Sequence, residues 1–243
     1  MTDQTRHFQN PVAVATLIDP SVFRASPRGR SRSRDSRHRR RAGFYRSAGK
    51  RLFDLAAVLL AMPFVLPLVL VMAGLVALDG GKPFYSQERI GRGGRVFRMI
   101  KLRSMVHNAE ARLEEHLAAD AAARAEWDAT QKLKRDPRIT PLGRFLRRSS
   151  LDELPQLFNV LRGDMSLVGP RPMMVSQKAL YPGTAYYALR PGLTGLWQVS
   201  DRNESTFAAR AGFDADYEDR LSFRTDLAIL LRTVRVVVDC TGY

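Results

Sequence analysis

From Leu52 to Leu78 the chain is apolar at every position except Asp54, reading LFDLAAVLLAMPFVLPLVLVMAGLVAL. The stretch Leu55 to Leu78 would extend ~36 Å as a helix, enough for a hydrocarbon core of ~30 Å. A cleaved signal peptide fits poorly, because the run starts late and is too long. Pro63 and Pro67 fall in its middle, where each removes a backbone donor and crowds the preceding turn. Basic residues flank both ends: Arg46, Lys50 and Arg51 before it, and Lys82, Arg89, Arg92, Arg95, Arg98, Lys101 and Arg103 after it, opposed only by Glu88. A straight span would place one basic cluster outside, against the positive-inside preference. The pattern therefore predicts a helix broken near its prolines that enters and leaves on one face. A proline-kinked single span is the alternative.

Beyond that segment the periodicity changes. Residues 84–105 predict a β-hairpin turning at Ile90-Gly91-Arg92-Gly93-Gly94, whose glycines lack P-loop spacing. Residues 106–130 predict one Ala-rich helix with apolar positions at Val106, Ala109, Leu113 and Leu117. Helical patterns then cover roughly 140–148 and 152–162. A Gly/Pro loop, the segment RPGLTGLWQV (190–199) and a closing helix near 222–238 follow. The mixture predicts a small α/β (α+β) domain that lies against the membrane through several amphipathic interfacial helices. The boundaries are a tail at 1–43, a re-entrant membrane helix at 44–80 and a catalytic domain at 81–243.

Charge modifies this picture at one end. The 243 residues hold 39 Lys+Arg against 24 Asp+Glu, a formal charge of +15. Residues 1–51 alone carry thirteen basic residues and three acids. The Arg/Ser tract between Arg28 and Arg41 lacks apolar periodicity and predicts a disordered tail. Such a tract suits anionic lipid or nucleic acid, and the membrane segment favours lipid. A single cysteine, Cys240, excludes an intramolecular disulfide and a cysteine-built zinc site. The four histidines lack ligand spacing, which leaves carboxylate chemistry with a hard cation.

Two constellations could carry that chemistry. Asp152-Glu153 are adjacent acids among Arg144, Arg147, Arg148, Arg162, Arg171 and Arg190. Ordinary helix capping explains acids there, with Ser150 and Glu153 at capping-box spacing, or with Asp152 as N-cap and Pro155 at N3. Capping does not explain the arginines. A carboxylate among guanidiniums is kept ionised, and arginines with a divalent cation suit a phosphoanhydride substrate attacked by an aspartate. The second constellation is Gly169-Pro170-Arg171-Pro172 with the 190–198 segment, rigid turns able to present Arg171 and Arg190 to a phosphate.

The blocks KRLFDL, FYSQERIG, IKLRSM, DPRITPLGRFLRRSSLDELPQLFNVLRGDMSLVGPRP and RPGLTGLWQV, in this order around a proline-broken apolar segment, resemble the bacterial sugar transferases, the monotopic phosphoglycosyl transferases. The resemblance runs from about Lys50 to Tyr243. It is greatest to the undecaprenyl-phosphate galactose phosphotransferases of exopolysaccharide synthesis. It implies transfer of a phospho-sugar, galactose- or glucose-1-phosphate, from a UDP-sugar to undecaprenyl phosphate, releasing UMP, as the first step of repeat-unit assembly. It further implies Mg²⁺, held by Asp152 and Glu153, and a covalent phospho-sugar enzyme with Asp152 as nucleophile and Glu153 assisting. By the same resemblance Arg147, Arg171, Lys101, Arg190 and Gln198 bind the nucleotide-sugar, and the membrane helix is re-entrant on the cytoplasmic face of the bacterial inner membrane. Self-association stays open and no nucleic acid is expected. The rival reading is a membrane-tethered nucleic-acid or anionic-lipid binding module resting on the tail. Two departures stand out: Leu66 precedes Pro67 where the family commonly has serine, and residues 1–43 lie outside the resemblance.

Overall fold

A computed structural model describes residues 43–130, 133–200 and 207–238. The predicted basic tail, apart from Gly43, lies outside the described residues.

A π-helical turn (Tyr45–Gly49) leads into α1 (Lys50–Ala77), which is helical without interruption through Pro63 and Pro67. The break expected at the prolines is thus not a loss of helix. Proline is tolerated inside a helix wherever the surroundings impose helical geometry more strongly than one missing donor opposes it. Among the described residues this is the one helix long and apolar enough to cross a membrane. Its middle faces outward, with Leu60 78% and Phe64 80% exposed.

The ends of α1 are held by the rest of the chain. Near its start, Lys50 Nζ pairs with Asp226 Oδ2 at 2.5 Å, and Arg51 donates to the carbonyls of Val160 and Leu161. Buried Asp54 accepts from the Leu167 amide at 3.1 Å. Near its end, Ala73 and Val76 pack with Leu102 and Leu146. There the Arg103 guanidinium donates to Val76 O (2.9 Å) and Asp79 Oδ2 (2.9 Å).

The predicted hairpin is present as β1 (Phe84–Ile90) and β2 (Val96–Leu102), antiparallel, with Phe84 opposite Leu102 and Ile90 opposite Val96. The single helix expected over 106–130 is instead two, α2 (Ala109–Ala119) and α3 (Ala121–Thr130). Asp120 divides them: its backbone is extended, and its Oδ1 accepts from Ala122 N (2.8 Å) and Ala123 N (3.0 Å), which starts a new helix. Next comes α4 (Pro141–Arg148), capped by Thr140 Oγ1 from Gly143 N at 2.9 Å. A short 3₁₀ turn (Leu151–Glu153) and α5 (Gln156–Arg162) follow.

Strand β3 (Ser166–Val168) pairs in parallel with β4 (Gly192–Thr194), and α6 (Ala185–Ala188) lies between them in sequence. Helices α7 (Arg210–Asp219) and α8 (Phe223–Val238) close the chain. The fold is therefore mixed helix and strand, as expected, with two separate two-stranded sheets among the described residues. The main core joins α1, β2, α5, β3, β4 and α8 through Val58, Met99, Val160, Val168 and Ile229.

Gly143 allows α4 to lie directly on the chain after β2, since a Cβ there would stand 1.9 Å from Ser104 O. Backbone cannot yield as a flexible side chain can. Gly143→Ala should therefore cost on the order of 3 kcal/mol, read as a lowered unfolding temperature of the detergent-solubilised protein.

Candidate active site

Helix α4 ends at Ser149, whose Oγ donates to Phe145 O at 2.8 Å. Ser150 then adopts a left-handed conformation, φ 57°, the one positive φ outside glycine among the described residues. That conformation costs of order 1 kcal/mol in a serine and reverses the chain at once. The Leu151–Glu153 turn consequently folds back toward the last turn of α4. Neither predicted cap forms. Ser150 makes no capping bond, Asp152 sits inside the 3₁₀ turn rather than at a helix start, and Pro155 occupies the N-cap of α5. The left-handed Ser150 leaves no extended residue from which a side chain could reach forward.

Strand β2 delivers the cation. Lys101 Nζ lies 2.6 Å from Glu153 Oε1 and 4.0 Å from Asp152 Oδ2. Two residues past the strand, Ser104 Oγ accepts from Arg147 Nε at 2.8 Å, which fixes Arg147 beside Asp152. Asp136, bonded to Arg138 at 2.6 Å, is a second anionic neighbour of Arg147.

The two carboxylates respond differently. Burial pushes Asp152 up to about 6, more than Lys101 and Arg147 pull it down, and Glu153 adds to the rise. The expected pull of basic neighbours toward the ionised form is present but smaller than desolvation, because the side chain is only 10% exposed. Burial also raises Glu153, but Lys101, Arg171 and Arg89 outweigh it and hold the carboxyl below its usual range. One acid is firmly ionised, while the other is ionised at neutral pH and more basic than an ordinary carboxylate.

Arg171 arrives on the loop after β3. Gly169 N donates to Thr194 O (2.9 Å) and Gly192 N to Pro170 O (2.8 Å), so the two Gly/Pro segments are stitched together through their backbones. The loop is also bonded to the hairpin, through Ile90 N to Met173 O at 3.0 Å and Arg89 Nη1 to Pro172 O at 3.2 Å. The structure therefore gathers Lys101, Arg147 and Arg171 around the dyad. Arg190 points elsewhere, donating to Gly163 O at 3.0 Å near Arg51 and Arg92. Gln198 Nε2 donates to Leu193 O of β4 at 3.2 Å, five residues back in the chain. Arg89, Ser104 and Asp136 complete the surroundings. Nothing in their spacing distinguished them, because pairing and loop closure bring them in.

No third His, Cys, Asp or Glu joins the dyad among the described residues. Two carboxylates nonetheless suit Mg²⁺, which takes one or two from protein and completes its shell with substrate phosphate and water. A buried acid whose charge is incompletely offset, such as Asp152, is a donor that such a cation would satisfy.

A family profile described as bacterial sugar transferase matches residues 45–240. The chain is 49% identical over 195 residues to a UDP-galactose-lipid carrier transferase of Erwinia amylovora, covering 79% of this chain and 41% of that protein. It is 48% identical over 195 residues to an undecaprenyl-phosphate galactose phosphotransferase of Salmonella typhimurium, with coverage of 79% and 41%. The matches thus span about two fifths of the length of these two relatives. Against the exopolysaccharide production protein ExoY of Sinorhizobium fredii, identity is 46% over 191 residues, covering 77% of this chain and 84% of that protein.

The elevated Asp152 carries a stability signature. A folded-state value above the unfolded one favours folding fully below the unfolded value, near 4, and this contribution is lost as pH rises through about 6. Asp152→Asn removes the buried charge. It should raise stability at pH 7.5 by on the order of 2 kcal/mol, with the gain vanishing near pH 4, as thermal unfolding across that range would show.

Proposed function

Because the chain belongs to the bacterial sugar transferase family, we propose that it transfers galactose- or glucose-1-phosphate from a UDP-sugar to undecaprenyl phosphate, releasing UMP, as the first step of exopolysaccharide repeat-unit assembly. The observation that carries this reading is the buried Asp152, adjacent to an ionised Glu153 and faced by Lys101 and Arg147. Names of relatives that specify UDP-galactose and undecaprenyl phosphate support the donor and acceptor.

In the first half-reaction an Asp152 carboxylate oxygen bonds to the β-phosphorus of the donor. The bond from that phosphorus to the bridging oxygen breaks, and UMP leaves with the electron pair. In the second, an oxygen of the lipid phosphate bonds to the same phosphorus and Asp152 is released. A more basic carboxylate is the better nucleophile, so desolvation that raises Asp152 serves the first half. Glu153 fixes Lys101, whose ammonium, 4.0 Å from Asp152 Oδ2, would offset charge gathering on the equatorial oxygens of the transferring phosphoryl group. Bound Mg²⁺, held by Asp152 and Glu153, would neutralise diphosphate charge.

We read α1 as re-entrant, with the dyad on the cytoplasmic face of the inner membrane. Support comes from the bonds at both of its ends to one folded unit: Arg51 to α5 and Arg103 to Val76 and Asp79. A straight crossing would carry one of these ends through the bilayer and away from its partners.

Asp152→Asn should reduce transfer below about 0.1% of the unsubstituted rate and abolish attachment of radiolabelled sugar phosphate to protein incubated with donor alone. Ordinary turnover in that variant would remove Asp152 from its role. For topology, Ser47→Cys and Arg92→Cys, each made in a Cys240→Ala background, should react with an impermeant thiol reagent from the same side of inverted vesicles. Opposite labelling would establish a straight span.

A further inference from the structure

Arg89 and Arg171 face the Glu153 side of the dyad, and Arg210 adjoins Arg171 over a shared ring. Arg89 Nη1 donates to Pro172 O at 3.2 Å, next to Arg171 in the chain, and Arg89 bridges Met174 across the loop. Arg171 and Arg210 both stand over the Trp197 ring, at 5.8 and 4.1 Å from its centroid, and Arg210 also lies 4.8 Å from the Phe207 ring. Burial lowers the proton affinity of Arg89 and Arg210, and the Arg171 charge beside them lowers both further, with Arg89 also acting on Arg210.

The anions nearby are committed. Glu153 is bonded to Lys101 at 2.6 Å, and Asp214 accepts from Tyr181 Oη at 2.8 Å. Among the described residues, none of the three arginines has a carboxylate within salt-bridge distance. The Nε–H groups of Arg89 and Arg210 are buried and meet no acceptor. Orphaned buried donors are destabilising, and gathered like charges add to that. Such an arrangement is kept where an anion completes it.

The two flanks of the dyad also differ in what they touch. Arg147 belongs to α4, whose Leu146 packs with Ala73 and Val76 of the membrane helix. Arg171 and Arg210 line one cavity with Met173, Tyr181 and Tyr186, and Arg89 immediately precedes Ile90 of the same cluster, to which α1 contributes nothing.

We propose that Arg89, Arg171 and Arg210 form a cradle for the diphosphate of the nucleotide-sugar donor, making Arg89 and Arg210 substrate-binding residues. This rests on the transferase reading above. Trp197 and Phe207 hold the Arg210 fork flat, and Arg89, tied to the hairpin, sets its distance from Glu153. As the phosphorus–oxygen bond breaks, negative charge grows on the departing UMP phosphate, which these guanidiniums face.

Calorimetric titration of the full chain in nanodiscs with inorganic pyrophosphate tests the cradle without requiring turnover. Arg89→Gln and Arg210→Gln should each weaken pyrophosphate binding at least roughly tenfold, Arg89→Lys and Arg210→Lys by less, and Arg124→Gln, exposed on α3, by under twofold. In steady-state transfer the two glutamine variants should raise the donor KM while leaving the undecaprenyl phosphate KM within twofold. Unchanged pyrophosphate affinity in the glutamine variants overturns the cradle, as does an equal loss in Arg124→Gln. Unsubstituted protein that binds pyrophosphate no better than inorganic phosphate overturns it without any variant. Arginine-dependent pyrophosphate binding without sugar-phosphate transfer would uphold the cradle and remove the transferase reading, whereas transfer with arginine-independent binding would remove the cradle alone.

Discussion

The arrangement of the site depends on one buried amide. Asn159, fully enclosed in α5, donates from Nδ2 to Arg98 O at 2.8 Å and accepts at Oδ1 from Ile100 N at 3.0 Å. These are consecutive backbone groups on the same edge of β2, so the side chain acts as a further strand locking the hairpin's register against the helix. Its own carbonyl accepts from the amides of Gly163, Asp164 and Met165, which closes the helix and turns the chain into β3. Three elements are thereby fixed by one residue. Lys101, one position past Ile100, reaches Glu153 because the strand cannot slide.

Around that fixed frame, burial and charge are set against each other. Asp152 lies deep enough for desolvation to dominate, while Glu153, one residue on, is surrounded by more positive charge than burial can offset. Adjacent acids in a 3₁₀ turn point in different directions, so neighbours in sequence acquire different surroundings. The result is one carboxylate that holds the Lys101 ammonium and one that is more basic than an ordinary acid. The left-handed Ser150 makes this possible by turning Asp152 toward Arg147 rather than out along a helix.

Much of this was legible in the sequence. The apolar run, the hairpin at Gly91–Gly94 and the α4 and α8 patterns follow from periodicity and turn residues, and all appear. The dyad with Lys101, Arg147 and Arg171 was likewise readable, from adjacent acids in a basic stretch and from the family blocks. What escaped depended on tertiary context. A helix through two prolines is decided by its surroundings, and the division at Asp120 hinges on one side chain choosing its own backbone over solvent. The capping assignments failed because spacing alone cannot reveal a left-handed serine. Arg89 and Arg210 carry no local signal, since a strand pairing and an aromatic stack bring them to Arg171 from distant positions.

The bonds at both ends of α1 have a mechanical consequence. A lone apolar helix adapts to a thicker or thinner bilayer by tilting on its own. Here Arg51 and Arg103 bolt the helix to the same body that carries Asp152. With α1 seated in a bilayer as proposed, any adjustment to lipid thickness would rotate the whole molecule, raising or lowering Asp152 relative to the headgroup plane. Acyl-chain length, a property of the host's lipids, would then become a geometric variable at that carboxylate.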